Sequence, residues 1–392
     1  MRVGIDASNL RGGGGTATHL IELLKAAKPV DHGFDEVFVW AGSAVLSKLE
    51  DRAWLRKSPQ QLLEQAANPF RDRRQLLRAY WQRFRLRKLA EQARCDVLFV
   101  PGGLDTSGFH PLVTMSRNLL PFDFGEARRY GWSPARLRLW ILRLLQTRTF
   151  RHADGLIFLT EYARAVVSGV AHLNGLRTMV IPHGVSPRFS LPPRVQRDLR
   201  EYSFSKPFRV LYVSTVNVYK HQWHVVEAIA QLRAAGFPLA LDLVGPAYPA
   251  GLRRLTQQLQ SSNASSDYVQ YRGAVPYYVL HHLYGKADLK VFASSCENMP
   301  NILLEAMAAG LPIACSRSGP MPEILGDAGV YFDPEKPEEI AKAIETLIRS
   351  PELRARNAVM GFERAQQYSW ERCASETFAF LAKCARGESK HR

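Results

Sequence analysis

The chain has 392 residues, of which 46% are hydrophobic and 22% are charged. These proportions are those of an ordinary globular protein and exclude a disordered, collagenous or coiled-coil chain. At roughly 100–200 residues per domain, the length predicts two domains. No apolar run reaches the roughly 18 residues of a membrane-spanning helix. The five cysteines are scattered without metal-site spacing, so we expect reduced thiols in a cytoplasmic protein.

The positive charge is concentrated in the first half of the chain. Residues 1–200 contain 31 basic and 17 acidic residues, a net charge of +14, whereas residues 201–392 contain 21 and 19, a net charge of +2. This asymmetry predicts an anionic partner for the first half, and nucleic acid, a membrane surface or a phosphorylated substrate would each qualify. No nucleic-acid recognition motif accompanies the basic residues, so we expect no nucleic-acid partner.

Short apolar strands alternate with helical stretches through residues 1–185, which predicts a parallel sheet with crossover helices. A helix is predicted over 19–27, and one further strand precedes residue 181. The other predicted strands of this half are 2–6, 37–40, 96–100, 112–115 and 155–159.

Residues 186–207 are rich in proline, arginine and serine, which is typical of a linker between domains. The alternating pattern then restarts over 208–365, and we expect residues 366–392 to form a helix that returns to the first domain, followed by a tail. The strands predicted after the linker are 209–214, 240–244, 269–271, 289–293, 312–315 and 328–332. The helices predicted there are 223–235, 278–284, 302–309 and 337–349. The fold class is therefore α/β, with two doubly wound Rossmann-like domains and a ligand site in the cleft between them.

The most informative stretch runs from Ser294 to Ile313, where a strand ends and a helix begins. Glu297 lies in the loop and Glu305 one turn inside the helix. A helix N-terminus offers free N–H groups and the positive end of the helix dipole, which suit a phosphate or sugar oxygens. For an isolated pair of glutamates, a solvated loop and a solvated helix face would be the better interpretation.

The surrounding residues change that balance, because the stretch resembles the E-x7-E signature of retaining glycosyltransferases of the GT-B fold, family 4 (the group 1 glycosyltransferases). The strong resemblance covers residues 181–385 and includes a Gly-Asp-Ala-Gly run at 326–329 and a Tyr-Ser-Trp-Glu run at 368–371. The matching residues in and after the signature are Glu297, Pro300, Glu305 to Ala308, Gly310, Pro312, Gly319, Pro322 and Glu323.

The resemblance implies a role for each matching position on the donor side. Glu297 would contact hydroxyls of the donor sugar, Glu305 would hold the ribose hydroxyls of the nucleotide, and Lys220 would pair with the donor diphosphate. Backbone amides near the helix start would contact the transferred sugar and the diphosphate. We assign Glu297 and Lys220 to catalysis, and the donor-binding set is Glu305, Thr215, Met299, Pro300, Asn301, Ile302 and Gly273.

Two positions depart from the family pattern. Thr215 stands where the family usually has an arginine, and the loss of one charge-assisted contact to a leaving phosphate would cost on the order of 2–4 kcal/mol of transition-state stabilisation. After the strand at 112–115, where many members have a histidine, this chain has Arg117 and Asn118, which become acceptor-side candidates together with His183.

A run of glycines follows the first strand and precedes the first helix. It is not a nucleotide-binding P-loop, because no lysine follows it. In the family this loop faces the donor diphosphate and the acceptor, so Gly13, Gly14 and Gly15 are candidate site residues. The metal-binding Asp-x-Asp of the other main glycosyltransferase fold is absent, and we expect no metal and no cofactor, since the nucleotide-sugar is a substrate.

Two basic amphipathic stretches remain in the first half. Residues 71–94 contain nine basic and two acidic residues, and residues 128–151 contain seven arginines. Their apolar stripes are expected to face the core, although such helices also suit an anionic leaflet. Each stripe has aromatic and aliphatic side chains at helical spacing: Leu77, Tyr80, Trp81 and Phe84 in one, and Leu137, Trp140, Ile141, Leu144 and Leu145 in the other.

The sequence therefore predicts a retaining glycosyltransferase that moves a sugar from a nucleotide-sugar donor to a hydroxyl of a glycan or lipid-linked acceptor. Its expected role is in cell-surface polysaccharide or lipopolysaccharide synthesis, in the cytoplasm or at the inner face of the membrane. Two alternatives stay open at this point: a GT-B nucleotide-sugar epimerase or hydrolase, and a catalytically weak acceptor-binding subunit.

Overall fold

The computed structural model of the protein describes residues 1–10, 15–60, 77–173, 175–262 and 268–387. The chain forms two compact units. Residues 1–184 and those from 369 onward make up the first unit, and residues 185–368 make up the second.

The first unit contains a parallel sheet that has seven strands within the described residues, in the order β3-β2-β1-β4-β5-β6-β7. Its strands are β1 (Arg2–Asp6), β2 (Glu36–Ala41), β3 (Leu55–Pro59), β4 (Val97–Val100), β5 (Leu112–Met115), β6 (Gly155–Phe158) and β7 (Thr178–Val180). Within the described residues up to 184, the helices include α1 (Gly15–Ala26), α2 (Ser43–Leu46), α3 (Arg87–Gln92), α4 (Phe124–Arg128), α5 (Pro134–His152) and α6 (Glu161–Ala171). A 3-10 turn covers Pro29–His32, and a π-helical turn, Gln82–Leu86, leads into α3.

The second unit contains a parallel sheet in the order β10-β9-β8-β11-β12-β13. Its strands are β8 (Phe208–Val213), β9 (Leu239–Val244), β10 (Val269–Tyr271), β11 (Leu289–Phe292), β12 (Ile313–Ser316) and β13 (Gly329–Phe332). Its helices are α7 (Gln222–Ala234), α8 (Pro249–Ser261), α9 (Leu280–Lys286), α10 (Asn301–Ala308), α11 (Met321–Leu325), α12 (Pro337–Arg349) and α13 (Pro351–Ala365). Its 3-10 turns are Pro187–Phe189, Leu199–Glu201 and Tyr277–Val279.

The last described helix, α14 (Trp370–Ala385), belongs to the first unit, where it packs on α1. Ser369 caps its N-terminus by accepting a hydrogen bond from the Arg372 amide at 3.1 Å. The ring of Phe378 meets that of Phe34 at 6.0 Å between centroids. The chain therefore leaves the first unit, builds the second, and returns.

Burial explains why these sequences form parallel strands. Every residue of β4, β5, β6, β11 and β12 is buried, because helices cover both faces of each sheet. The runs are therefore continuously apolar and do not alternate with polar residues. The predicted α/β class with two doubly wound units is confirmed.

The expectation that the stripe on α5 faces the core is wrong. Leu137, Trp140, Ile141, Leu144 and Leu145 are all exposed, by 43–58% of their surface. In the other stretch the outcome is mixed, since Trp81 is buried whereas Leu77, Tyr80 and Phe84 are exposed. Residues 71–76 lie outside the described part of the chain. No helix within the described residues is long and apolar enough to span a bilayer.

Candidate functional site

The donor-side candidates lie in two loops that follow neighbouring strands of the second sheet. β8 leads into the loop before α7, and β11 leads into the loop before α10. These two strands pair with each other, and the strand order reverses between them. Ligands of doubly wound sheets bind beyond the carboxyl ends of the strands at such a reversal. The topology therefore places Lys220 and Glu297 together.

Lys220 and Glu297 form an ion pair between the two loops. Both side chains are largely buried, with exposures of 8% and 13%. The Lys220 ammonium also lies 5.1 Å from the centroid of the Tyr219 ring and 5.5 Å from that of Phe292. Among the described residues, one carboxylate pairs with this ammonium, whose three N–H donors leave capacity for a further anion.

Further hydrogen bonds hold the two loops against each other. The Ser295 amide donates to the Tyr219 carbonyl at 2.9 Å, and the Ser294 hydroxyl donates to the same carbonyl at 3.3 Å. His221 Nε2 lies 2.9 Å from the Ser295 hydroxyl. His221 adopts a left-handed conformation with φ of 50°, which is uncommon outside glycine. These contacts fix the position of the Lys220 backbone relative to Glu297, and the sequence analysis did not identify His221 or Ser295.

Glu305 is buried one turn inside α10, with 3% of its surface exposed. The Tyr284 hydroxyl donates to its carboxylate at 3.1 Å. Burial raises the pKa of Glu305 to about 7, against the opposing effects of hydrogen bonds from Tyr284 and Tyr277 and the positive charge of Lys290. The carboxyl group can therefore change protonation state near neutral pH.

Lys290, in β11, is a functional candidate that the sequence analysis missed. Its side chain is fully buried, and Nζ donates to the Val213 carbonyl at 3.3 Å. The ammonium lies 5.4 Å from the centroid of Tyr284 and 5.6 Å from that of Tyr212. Burial lowers the pKa of Lys290 to about 7, although the charge of Glu305 acts in the opposite direction. The only sequence signal was a lysine inside an otherwise apolar buried strand.

The start of α10 carries the remaining donor-side candidates. Pro300 precedes the helix in an extended conformation, and its carbonyl accepts the Leu303 amide at 2.9 Å. Met299 and Pro300 are buried, whereas Asn301 and Ile302, in the first turn, are half-buried. The side-chain oxygen of Asn301 is buried and accepts no hydrogen bond from the described part of the chain. A helix start with a buried, unsatisfied acceptor is suited to a polar ligand.

Thr215 and Gly273 lie at the edge of this arrangement. Thr215 is half-buried, and its carbonyl accepts a hydrogen bond from Gln222 Nε2 at 3.1 Å. Gly273 has φ of +65°, a left-handed turn conformation that favours glycine, and its carbonyl accepts the Gly245 amide at 2.8 Å. Gly245 is still more constrained, because a Cβ atom there would lie 2.1 Å from the Ser214 carbonyl oxygen. These glycines shape the backbone beside the Lys220 loop.

The acceptor-side candidates belong to the first unit and differ in their surroundings. Asn118 is exposed, and its side chain accepts the Leu120 amide at 3.1 Å within its own turn. Arg117 is half-buried, and burial lowers its pKa to about 10. Gly15 begins α1, while Gly13 and Gly14 lie outside the described residues.

His183 is buried in an aromatic cluster with His19 and Trp370. Its ring centroid lies 4.6 Å from that of His19 and 5.9 Å from that of Trp370. Burial, followed by the charge of Arg117, holds the pKa of both histidines well below the usual value. His19 lies on the buried face of α1, four residues after Gly15, and the sequence analysis did not single it out.

Two family models match the chain and together cover most of it. Residues 196–361 match the glycosyl transferases group 1, and residues 13–189 match glycosyltransferase family 4. The chain belongs to the family 4, group 1 glycosyltransferases. The predicted family is thereby confirmed. Among the described residues, no group of three or more His, Cys, Asp or Glu side chains could hold a metal ion.

Curated relatives match part of the chain. An O-antigen chain mannosyltransferase B of Escherichia coli is 28% identical over 46% of this chain and 47% of its own length. A GDP-mannose-dependent alpha-(1-6)-phosphatidylinositol dimannoside mannosyltransferase of Mycobacterium tuberculosis is 27% identical over 61% of this chain and 60% of its own length. The chain thus spans between about half and three fifths of these curated relatives.

Comparison with a solved structure establishes the fold of this chain. Sucrose-phosphate synthase of Thermosynechococcus elongatus superposes with a TM-score of 0.74 at 18% identity, over 96% of this chain and 97% of its own. This agreement over nearly the whole length of both chains confirms the GT-B fold class.

Proposed function

We propose that the protein transfers a sugar from a nucleotide-sugar donor to a hydroxyl of a glycan or lipid-linked acceptor, with retention of anomeric configuration. The observation that carries the proposal is the buried Lys220–Glu297 pair beside the start of α10. Membership of the family supports the reaction class. The likeness to the two mannosyltransferases supports a mannosyl donor and a role in cell-surface glycan or glycolipid synthesis.

In this proposal three charged side chains of the second unit each meet one part of the donor. Lys220 pairs with the diphosphate, whose negative charge grows as the glycosidic bond breaks. Glu297 accepts hydrogen bonds from the donor sugar, and Glu305 accepts them from the ribose. The amides at the start of α10 approach the diphosphate and the sugar. Lys290 is a positioning residue, because it contacts the donor only through the Tyr284–Glu305 pair.

The proposed chemistry requires no nucleophile from the protein. The bond between the anomeric carbon and the diphosphate oxygen breaks, and the acceptor oxygen bonds to the same face of that carbon. The acceptor proton passes to the departing phosphate oxygen. Lys220 and the helix start supply the positive charge that stabilises the leaving group. We propose no metal and no cofactor, and unchanged turnover after removal of divalent ions with a chelator would support this.

Ligand-induced thermal stabilisation tests the donor class directly. We expect Tm to rise with one nucleoside diphosphate from a panel of GDP, UDP, ADP and CDP, and with its sugar conjugate. Glu305→Ala should reduce this rise at a given nucleotide concentration, whereas Glu338→Ala, an exposed carboxylate of the same unit, should preserve it. Proton NMR of the product made from that conjugate then gives the anomeric configuration. If no nucleoside diphosphate stabilises the protein, the proposal fails.

Thr215 favours a second candidate, a catalytically weak subunit that binds donor and acceptor without efficient transfer. A threonine replaces the arginine that would share the diphosphate charge with Lys220. Nucleotide binding without transfer or donor hydrolysis, over a panel of acceptors, would identify this case. An epimerase or hydrolase would instead convert donor when no acceptor is present.

A further inference from the structure

Helix α5 presents an apolar stripe to solvent. Leu137, Trp140, Ile141 and Leu144 follow the spacing of one helical face, and they are 58%, 52%, 43% and 47% exposed. A helix that packs on a globular core normally turns such a face inward. Packing against the core therefore does not explain this apolar face, and we looked for a binding partner that would cover it.

The inner face of α5 fixes the rotation of the helix. Gln146 and Thr149 are buried on that face although they are polar. The Thr149 hydroxyl accepts the Asp105 amide at 3.2 Å, and Phe150 stacks on Phe122 with ring centroids 5.9 Å apart. These contacts would be lost if the helix turned its apolar stripe toward the sheet. The outward orientation is thus built into the packing of the unit.

The charged side chains of the helix that carries the stripe are all positive. Pro134–His152 contains five arginines and no acidic residue. Arg143 lies over the exposed Phe124 ring at 4.4 Å, and Arg136 lies over the fully exposed Trp132 ring at 5.3 Å. Apolar side chains with arginines at their margins form the surface pattern of an interfacial amphipathic helix.

A second exposed segment with apolar and basic side chains contacts the same loop that α5 contacts, the loop after β4. Arg78 and Gln82 donate hydrogen bonds to the Leu104 carbonyl, one residue before the Asp105 amide that Thr149 accepts. The π-helical turn and the residues just before it carry the exposed Tyr80 and Phe84 rings, 4.8 Å apart. Four further exposed cations follow in this segment: Arg83, Arg85, Arg87 and Lys88.

We propose that the exposed face of α5 binds the surface of an anionic lipid bilayer. The apolar side chains would insert at the boundary between head groups and acyl chains, while the arginines meet lipid phosphates. A second copy of the chain fits less well, because a symmetric contact would bring five arginines against five arginines. The proposal is independent of the sugar transfer proposed above.

Co-sedimentation with vesicles tests the proposal. We expect the full chain to bind vesicles of phosphatidylcholine mixed with phosphatidylglycerol more strongly than vesicles of phosphatidylcholine alone, and increasingly weakly as salt is added. Arg138→Gln/Arg148→Gln should reduce binding about 30-fold at low salt, since each cation near the surface contributes a factor of about five. Trp140→Ser/Ile141→Ser/Leu144→Ser should reduce it at least about tenfold.

Matched variants on the second unit control for nonspecific loss of charge and apolar area. Arg253→Gln/Arg356→Gln and Val195→Ser/Tyr278→Ser replace exposed residues there and should leave vesicle binding unchanged. Equal melting temperatures of all variants would show that each is folded. Equal and negligible binding of the unaltered protein to both vesicle types would overturn the proposal. So would a dimer in light scattering that the triple α5 variant dissociates, because the face would then be occupied by a second copy.

Discussion

Lys290, in β11, and Glu305, in α10, both contact the side chain of Tyr284. The ammonium of Lys290 lies 5.4 Å from the centroid of the Tyr284 ring, and the hydroxyl of the same ring donates to Glu305 at 3.1 Å. Both charged groups are buried. Glu305, which we propose binds the ribose, therefore accepts a hydrogen bond from a tyrosine. The buried ammonium of Lys290 balances its negative charge.

This relationship predicts a characteristic pH dependence of stability. The pKa of Glu305 is raised from 4.5 to about 7 on folding. Its contribution to the free energy of unfolding therefore falls as pH rises from about 4.5 to 7. The pKa of Lys290 is lowered from 10.5 to about 7, so its contribution recovers as pH rises from about 7 to 10.5. Relative to Lys290→Met/Glu305→Gln, the unaltered protein should be least stable near pH 7. Urea unfolding at pH 5, 7 and 9 measures this, and a difference that does not vary with pH would contradict it.

Replacement of Lys220 tests the proposed role of its charge. Lys220→Ala should lower kcat/KM by about 100-fold or more, because Thr215 provides no second charge for the departing diphosphate. Lys220→Gln should be nearly as impaired, because it keeps polarity but not charge. Lys342→Gln, which replaces an exposed lysine of the same unit, is the control and should retain turnover. Near-normal turnover of Lys220→Ala would transfer the role to another cation.

The two glutamates should separate in their effects on binding and turnover. Glu305→Ala should weaken nucleotide binding by at least about tenfold, since it removes a charge-assisted hydrogen-bond acceptor from the ribose. Glu297→Ala should bind the nucleoside diphosphate nearly normally but lower kcat, because its proposed partner is the transferred sugar. Calorimetric titration with the nucleotide and steady-state kinetics give the two quantities. Equal nucleotide affinity for Glu305→Ala and the unaltered protein would refute the ribose assignment.

Gly245→Ala should destabilise the second unit. Its φ of +143° is unfavourable for alanine, and the added Cβ would lie 2.1 Å from the Ser214 carbonyl oxygen. We expect a loss of at least about 2 kcal/mol in unfolding free energy, measured by denaturant titration. Gly285→Ala is the matched change inside a helix, where the nearest atom is a Leu191 methyl group at 3.5 Å, and it should be neutral or slightly stabilising. If both variants unfold alike, the close approach at Gly245 is not restrictive.

The sequence predicted the buried strands well because burial on both faces leaves continuous apolar runs. It missed β3, whose Leu-Arg-Lys-Ser-Pro sequence has no such run because it lies at the edge of the sheet. It singled out Lys220, Glu297 and Glu305 as candidates because they stand in motifs. Lys290 escaped because it is a single polar residue in an apolar strand, and His19 escaped because it is one of several polar residues in α1. The neighbours that make each of them a candidate are distant in sequence.

The orientation of α5 could not be predicted from periodicity alone. A stripe at helical spacing specifies an apolar face but not what covers it. The buried contacts of Gln146 and Thr149 with residues about 40 positions earlier decide which way the helix turns. Those contacts depend on the loop after β4, whose conformation no local sequence rule specifies.

The return of α14 to the first unit affects how the protein is made. During synthesis, β1 to β7 leave the ribosome about 190 residues before the helix that covers α1 and the Phe34 ring. At 5–20 residues per second, roughly ten seconds or more pass before that apolar surface is covered. The second unit, which is continuous in sequence, can complete its fold first. The apolar surface that α14 covers therefore stays uncovered on the nascent chain until that helix has been translated.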